Sequence, residues 1–294
     1  MTTLSPHLSP NDRAPHPPGE TPRDYVLRPY APRVAPDGRA HSVSLLRWFL
    51  RETGQDSIWP ILERCRAYLG AGETVWGIKT TSTGQTGVEL YFYRDQGAAD
   101  PQRKSVTALT HALADLLTID TQLDESLSYV MSSLELTGQT LKARQSPGFR
   151  VYTPGNRARL GHDGASYLAA GRTLVRENTY YFYDAATELA LATDQVRHSA
   201  RSGGDERLLP RGLARCFSIC FANKQHTDAL YFSRVTTAQT IAALRTLWPS
   251  VSACLQENRA DFSHLCWDIG YDFSAPADKL SAPTIQKVGI YGYC

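Results

Sequence analysis

The chain has 294 residues, 42% hydrophobic and 20% charged, with 31 basic against 29 acidic side chains and a formal net charge of +2. This profile predicts a globular protein large enough to bury a sizeable core, and nothing in its charge alone points to a nucleic-acid or membrane-surface binder. No apolar run approaches the roughly 18 residues of a membrane span, and no basic-then-apolar leader opens the chain. The six cysteines, at 65, 216, 220, 254, 266 and 294, form no CxxC pair. They read as reduced thiols of a cytoplasmic protein, not as a disulfide scaffold or zinc site, and the histidines form no HxxxH cluster.

Residues 1–40 hold nine prolines, too many for a helix or a central strand. They are expected to be a tail, disordered or wrapped peripherally, ahead of a single domain over 41–294. Apolar residues at helical spacing from 42 to 72 predict two helices around Gly54, with the second stopped by "GAG". "ETVWGIKTTSTGQTGVELYFYRD" (73–95) reads as a hairpin turning at Ser-Thr-Gly-Gln. A helix is expected over 103–119, with Val106, Leu109, Leu113 and Leu116 on one face. "SLSYVMSSLEL" then pairs with "GFRVYTP" across a basic loop, 137–148.

Further along, a short helix is expected near 164–174, followed by a third hairpin over 177–195 that includes "TELALAT". A helical stretch near 205–214 leads to a fourth hairpin, 215–235, turning at Asn-Lys-Gln-His. A long amphipathic helix, 236–257, precedes the fifth, "HLCWDIGYDF" with "TIQKVGIYGY". Five hairpins joined through helices make ten strands. The economical α+β architecture is one closed antiparallel barrel of helix–strand–strand–helix repeats, with helices covering its apolar outside. Side chains alternate across a strand, so Arg150 and Tyr152 share a face, as do Lys287, Gly289, Tyr291 and Tyr293. With the outside covered, these residues would line a lumen.

Five segments carry a family resemblance in order: "IWPILERCRAYLGAGETVW", "VWGIKTTSTGQTGVELYFYRD", "SYVMSSLELTG" with "GFRVYTPGN", "CFSICFANKQHTDALYFSRV" and "QKVGIYGY". The chain resembles, over about 58–293, the soluble aromatic prenyltransferases of the ABBA (αββα barrel) family, small phenol and naphthalene type. The resemblance implies transfer of a dimethylallyl or geranyl group from its diphosphate to an electron-rich aromatic small molecule. It implies as partners only those two substrates, with no nucleic acid, no membrane and a monomeric chain. Two other readings stay open: a catalytically silent barrel that binds an apolar small molecule, and a prenyltransferase acting on indole or peptide side chains.

An allylic diphosphate that ionises leaves a trianion, which needs cations or phenolic hydroxyls held in place. No aspartate-rich DDxxD-type motif is present, and the acidic pair Asp268 and Asp272 has the wrong spacing for one. The diphosphate is therefore expected on Lys79, Arg150, Lys287 and Lys224, with Tyr152 and Tyr291. No cofactor or metal is expected to be required, with magnesium a stimulant. Tyr91, Tyr93, Tyr181 and Tyr231 are expected to shield the prenyl cation. Ser133 and Glu177 are the catalytic candidates, and Ser218 joins them as a strand position that faces the acceptor in relatives. Four positions depart from the family: Ala229 stands where relatives carry an arginine, Leu189 and Leu191 where they place polar residues, and Ser133 where some have an acidic one.

Overall fold

The computed structural model describes residues 4–94, 100–278 and 281–294. Ten strands close into one antiparallel barrel. They are β1 (Val75–Thr81), β2 (Thr86–Tyr93), β4 (Met131–Thr137), β6 (Phe149–Pro154), β7 (Gly164–Ala170), β8 (Thr173–Asp184), β9 (Ser218–Lys224), β10 (Asp228–Thr236), β11 (Cys266–Ser274) and β12 (Thr284–Tyr293). The short segments β3 (Thr118–Ile119) and β5 (Gln145–Ser146) pair with each other outside the barrel. Each barrel strand pairs with the barrel strands before and after it in the chain. The last closes on the first, from Val75↔Tyr293 to Thr81↔Lys287, so the barrel has no exposed edge.

The helices α1 (Val43–Thr53) and α2 (Trp59–Leu69) precede the first strand, α4 (Gly138–Ala143) lies within the β4–β6 hairpin, and α3 (Val106–Leu113), α5 (Arg157–Leu160), α6 (Leu189–His198), α7 (Thr237–Leu247), α8 (Pro249–Glu257) and α9 (Arg259–Phe262) connect the hairpins. Outward-facing Trp76, Leu90, Phe149, Phe221, Phe232 and Ile290 are fully buried, in one cluster with Leu46, Phe49, Leu62, Leu113, Leu244 and Val251 of the helices. The core is therefore the shell between strands and helices, and the inward strand positions are released from packing it. α1 stops where expected, because Gly54 takes φ 65°, a left-handed value that suits glycine.

The structure corrects the sequence expectation in the middle of the chain. Residues 164–170 are strand β7, not a helix. The third hairpin is β7–β8, turning at Gly171 and Arg172, and not 177–195. "TELALAT" lies in and before α6, where Ala192 and Val196, one turn apart, are the buried residues, and Leu189 and Leu191 are exposed. Ala-Leu sequence favours helix, and Asp184 Oδ1 accepts from the amides of Ala186 and Thr187, both at 2.9 Å, which turns the chain out of β8. The alanines of β7, by contrast, are overridden by barrel closure, which requires a partner on each side of every strand. The stretch 205–214 holds a single 3-10 turn, Glu206–Leu208. The helix expected over 103–119 is only Val106–Leu113. The one expected over 236–257 breaks at Trp248, whose extended backbone precedes Pro249.

Residues 4–40 run across the barrel's outside and one of its ends, and are not a free tail. Leu8, Asp12, His16, Asp24, Leu27 and Tyr30 are buried, and Trp48 Nε1 donates to the Ser5 carbonyl at 2.7 Å. The prolines keep the segment extended.

Candidate active site

Strand alternation and register arrange the lumen in tiers. From one end, the inward residues run Thr81, Lys79, Gly77, Val75 on β1; Gly87, Glu89, Tyr91, Tyr93 on β2; and Thr137, Glu135, Ser133, Met131 on β4. Those of β12 run Lys287, Gly289, Tyr291, Tyr293. Because Lys79 pairs with Gly289, Glu89 with Glu135 and Ser133 with Arg150, charged positions of different strands meet at one level and aromatic positions at the next.

The charged tier is a connected network. Lys79 Nζ is ion-paired with buried Glu89, which also accepts from Ser133 Oγ, from Tyr91 Oη at 2.8 Å and from Arg150 Nη1 at 3.2 Å. Arg150 further binds Glu135 at 3.1 Å and Glu177 at 2.5 Å. Across the lumen, Asp272 takes Lys224 at 2.8 Å and Lys287 at 3.1 Å, and Lys224 also reaches the Tyr231 hydroxyl at 2.9 Å. Four basic groups face four carboxylates, so this tier is formally neutral. Burial lowers the pKa of Lys79 well below its ordinary value, against the pull of Glu135. Burial works against charge on Arg150 too, but Glu135, Tyr152 and Glu177 outweigh it and hold the guanidinium charged. Lys79 in turn holds Glu135 at about 2, with Arg150 and Lys287 adding.

Below lies the aromatic tier. Tyr291 stands 6.0 Å from Tyr91 and 6.3 Å from Tyr231 between ring centroids, and Tyr152 is 5.9 Å from Tyr180. Glycines opposite the rings make the room. A Cβ on Gly77 would come within 2.5 Å of the Tyr291 ring, and one on Gly270 within 2.3 Å of the Tyr231 ring. Burial raises the phenols of Tyr91, Tyr152, Tyr231 and Tyr291 well above their ordinary value, so they remain neutral hydroxyls. A cavity of about 660 Å³ opens at the charged end, walled by Ser133, Glu135, Thr137, Arg150 and Leu168 and by α4, β5 and the turn through Pro147 and Gly148. That size suits a small molecule.

Of the residues expected from sequence, Lys79, Arg150, Lys224, Lys287, Ser133 and Glu177 lie in or border the charged tier, and Tyr91, Tyr152, Tyr231 and Tyr291 form the aromatic one. Tyr93 lies one step deeper, packed with Leu27 and Met131. Tyr181 is a correction: it faces outward, its ring 6.3 Å from Phe221, and Tyr180 takes the lumen position. The cause is a bulge in β8, where Ser166 pairs with Asn178 but Tyr167 with Arg176, and a one-residue slip reverses every face. Ser218 sits six residues from Lys224 along β9, roughly 20 Å away, bonded to Ser233 Oγ at 2.7 Å and far from the cavity. Leu189 and Leu191 lie outside the lumen, so the departure they marked does not touch the site. Ala229 is buried, beside Asp272 in register. The sequence reading missed Glu89, Glu135 and Tyr180; Glu89-x-Tyr91-x-Tyr93 shares one face, a signal as legible as Arg150-x-Tyr152.

Among the described residues, no group of three or more His, Cys, Asp or Glu is arranged to hold a metal ion. No helix among them is long and apolar enough to cross a membrane.

The architecture is the ABBA prenyltransferase barrel. The crystal structure of NotF prenyltransferase matches it with a TM-score of 0.52 and 11% identity, over 85% of this chain and 92% of that one. Two crystal structures of 5-dimethylallyl tryptophan synthase from Streptomyces coelicolor align more loosely. The one in complex with DMASPP and Trp has a TM-score of 0.49 and 13% identity, covering 81% of this chain and 89% of that one. The other has 0.44 and 14%, covering 75% and 81%. No family model matches the sequence, and no curated protein matches it. What is shared is the fold.

Proposed function

We propose that the barrel transfers an allylic prenyl group, dimethylallyl or geranyl, from its diphosphate to an electron-rich aromatic small molecule. One observation carries the reading: a charged tier of Lys79, Arg150, Lys224 and Lys287 is stacked directly on a tier of neutral tyrosines inside a closed barrel. A prenyl diphosphate has the same division, an anionic head on an apolar, cation-forming tail.

In this mechanism the four basic groups and the Tyr231 and Tyr152 hydroxyls take the departing diphosphate. Tyrosine faces shield the allylic cation from water. The C–O bond to diphosphate breaks first, its electron pair leaving with the diphosphate. The acceptor ring, seated in the cavity beside Ser133, then attacks the allylic cation and forms one C–C bond. The ring proton then leaves. Ser133 lines the cavity and donates to Glu89, so it can take that proton while handing its own to the carboxylate. Glu177 holds the Arg150 guanidinium in place. The tier's formal neutrality means that a trianionic head must break existing ion pairs. Magnesium arriving with the diphosphate would relieve this, acting as a stimulant and not a requirement.

The same neutrality favours one rival, a silent barrel that binds an apolar molecule. Incubation with dimethylallyl and geranyl diphosphate and a panel of phenols, naphthalenes and indoles, with EDTA or magnesium, separates the two. Mass gains of one prenyl unit support transfer; binding of acceptors without any product supports the rival.

A further inference from the structure

The aromatic tier does not end on strand residues. A tight loop of the N-terminal segment enters from below. It is folded on Asp24, whose Oδ1 accepts from the amides of Val26 at 3.1 Å and Arg28 at 2.9 Å, while its carbonyl accepts from Leu27 N at 2.9 Å. Leu27 takes φ 61°, a left-handed value that a leucine adopts only when its surroundings hold it there. They do: Leu27 is buried with Val75, Tyr93, Met131 and Tyr293.

Four anchors fix the loop. Asp24 Oδ2 binds Arg234 Nε at 2.7 Å, Asp268 Oδ2 accepts from Tyr25 N at 2.7 Å, the Tyr30 hydroxyl accepts from Cys266 N at 2.7 Å, and Arg23 Nη1 donates to the Gly72 carbonyl at 3.1 Å. The Tyr25 ring thereby stands edge-on to three lumen tyrosines, with centroids 5.1 Å from Tyr91, 5.9 Å from Tyr93 and 5.2 Å from Tyr291. Tyr25 is the one aromatic side chain of this tier that does not come from a barrel strand, among the described residues.

We propose that the Asp24–Arg28 loop is the floor of the reaction chamber and that Tyr25 is a specificity-determining residue, setting the length of the apolar group the barrel accepts. The argument is geometric. The charged tier takes a head group at the open end, so an apolar tail extends through the tyrosines toward the closed end, where Tyr25 stops it. Val75 lies four residues beyond Lys79 on β1, roughly 13 Å of strand, so the chamber between charge and floor is short. This inference rests on the reading that an apolar tail occupies the aromatic tier.

The test uses full-length wild type, Tyr25→Ala and Tyr25→Leu, each first shown to melt cooperatively. Binding of prenol, geraniol and farnesol is measured by calorimetry, and turnover of dimethylallyl, geranyl and farnesyl diphosphate by product mass. Tyr25→Ala should shift the farnesol-to-prenol affinity ratio at least tenfold toward farnesol, with a smaller shift for Tyr25→Leu. Should the alanine variant not fold, the leucine variant reads the same ratio. An unchanged ratio, or no binding of any alcohol to wild type, overturns the floor. A shifted ratio without turnover of any diphosphate keeps the floor and sinks prenyl transfer. Turnover with unaltered chain preference does the reverse.

Discussion

Arg150 on β6 binds Glu177 on β8 across the whole width of β7, with Nε 2.5 Å from Oε2. Glu177 reaches the lumen because it is the extra residue of the β8 bulge, left without a register partner between Arg176 and Asn178. Together with Glu89 and Glu135 it surrounds one guanidinium with three carboxylates.

That crowding distinguishes two variants that look alike in sequence. Arg150→Ala removes the cation that Glu135 and Glu177 share and leaves Glu89 to Lys79 alone, whereas Lys287→Ala leaves Asp272 still paired with Lys224. Breaking a buried charge network at its centre costs about 3 to 5 kcal/mol, so Arg150→Ala should lower the melting temperature markedly and Lys287→Ala only slightly. Both should lower turnover roughly 30-fold to 1,000-fold, the loss of about 2 to 4 kcal/mol of leaving-group stabilisation. Thermal melts beside initial rates check both halves, and wild-type rates in both variants would remove the donor site from this tier.

Glu89→Gln keeps a hydrogen-bonding group of nearly the same shape and removes one negative charge from a balanced tier. Turnover should fall about 100-fold to 10,000-fold if the carboxylate takes the ring proton, while the donor KM stays level or drops because the tier becomes net positive. Ser133→Ala should lower kcat in the same direction without moving the donor KM. A higher donor KM in Glu89→Gln, with kcat intact, would show that Glu89 positions Lys79 and Arg150 and does no proton transfer.

Product should form in EDTA, and magnesium should raise the rate by offsetting the head group's charge. Ala229, in register with Asp272, is the place for one more cation. Ala229→Arg is expected to shrink the magnesium stimulation. Strict magnesium dependence that the substitution leaves untouched would contradict the arrangement of cations proposed here.

The N-terminal segment carries an acid-sensitive contact. His264 is buried with its ring 5.1 Å from that of His16, and His16 is 5.5 Å from His41. Burial first, then His16, Arg39 and His41, push His264 from the usual 6.5 down to about 4. The folded state therefore binds fewer protons than the unfolded state in that window. Stability should be fully present above pH 6.5 and fall as pH drops toward 4, and His264→Gln should flatten that part of a melting-temperature profile.

Removing residues 1–35 should destabilise the barrel, although their proline content alone suggests a dispensable tail. Leu8, Leu27 and Tyr30 are buried, and at about 1.5 to 3 kcal/mol per apolar side chain their loss should lower the melting temperature by roughly 10 °C or more. An unchanged melt would mean that this packing contributes nothing.

The sequence by itself determined the barrel and which way its charged residues point. Side chains alternate with a period of two, so Arg150-x-Tyr152 and Lys287-x-Gly289-x-Tyr291 had to share a face, and apolar partners such as Val151, Val288 and Ile290 had to take the other. Four hairpins were legible because turn residues separate β-rich runs. The tertiary structure alone decided the rest. Whether 164–170 is strand or helix depends on neighbours across the barrel, and no local signal marks the β8 bulge that turns Tyr180 inward and Tyr181 outward. The pairing of four cations with four carboxylates joins strands far apart in the chain, with Glu89 and Arg150 separated by 61 residues and Lys224 and Asp272 by 48. The seat of Tyr25 beneath the lumen tyrosines is likewise a contact over 266 residues with Tyr291. Alternation fixes which face a residue takes, because it acts through the backbone of one strand. Its partner is fixed only when closure brings the other strands, and the N-terminal segment, to the same level.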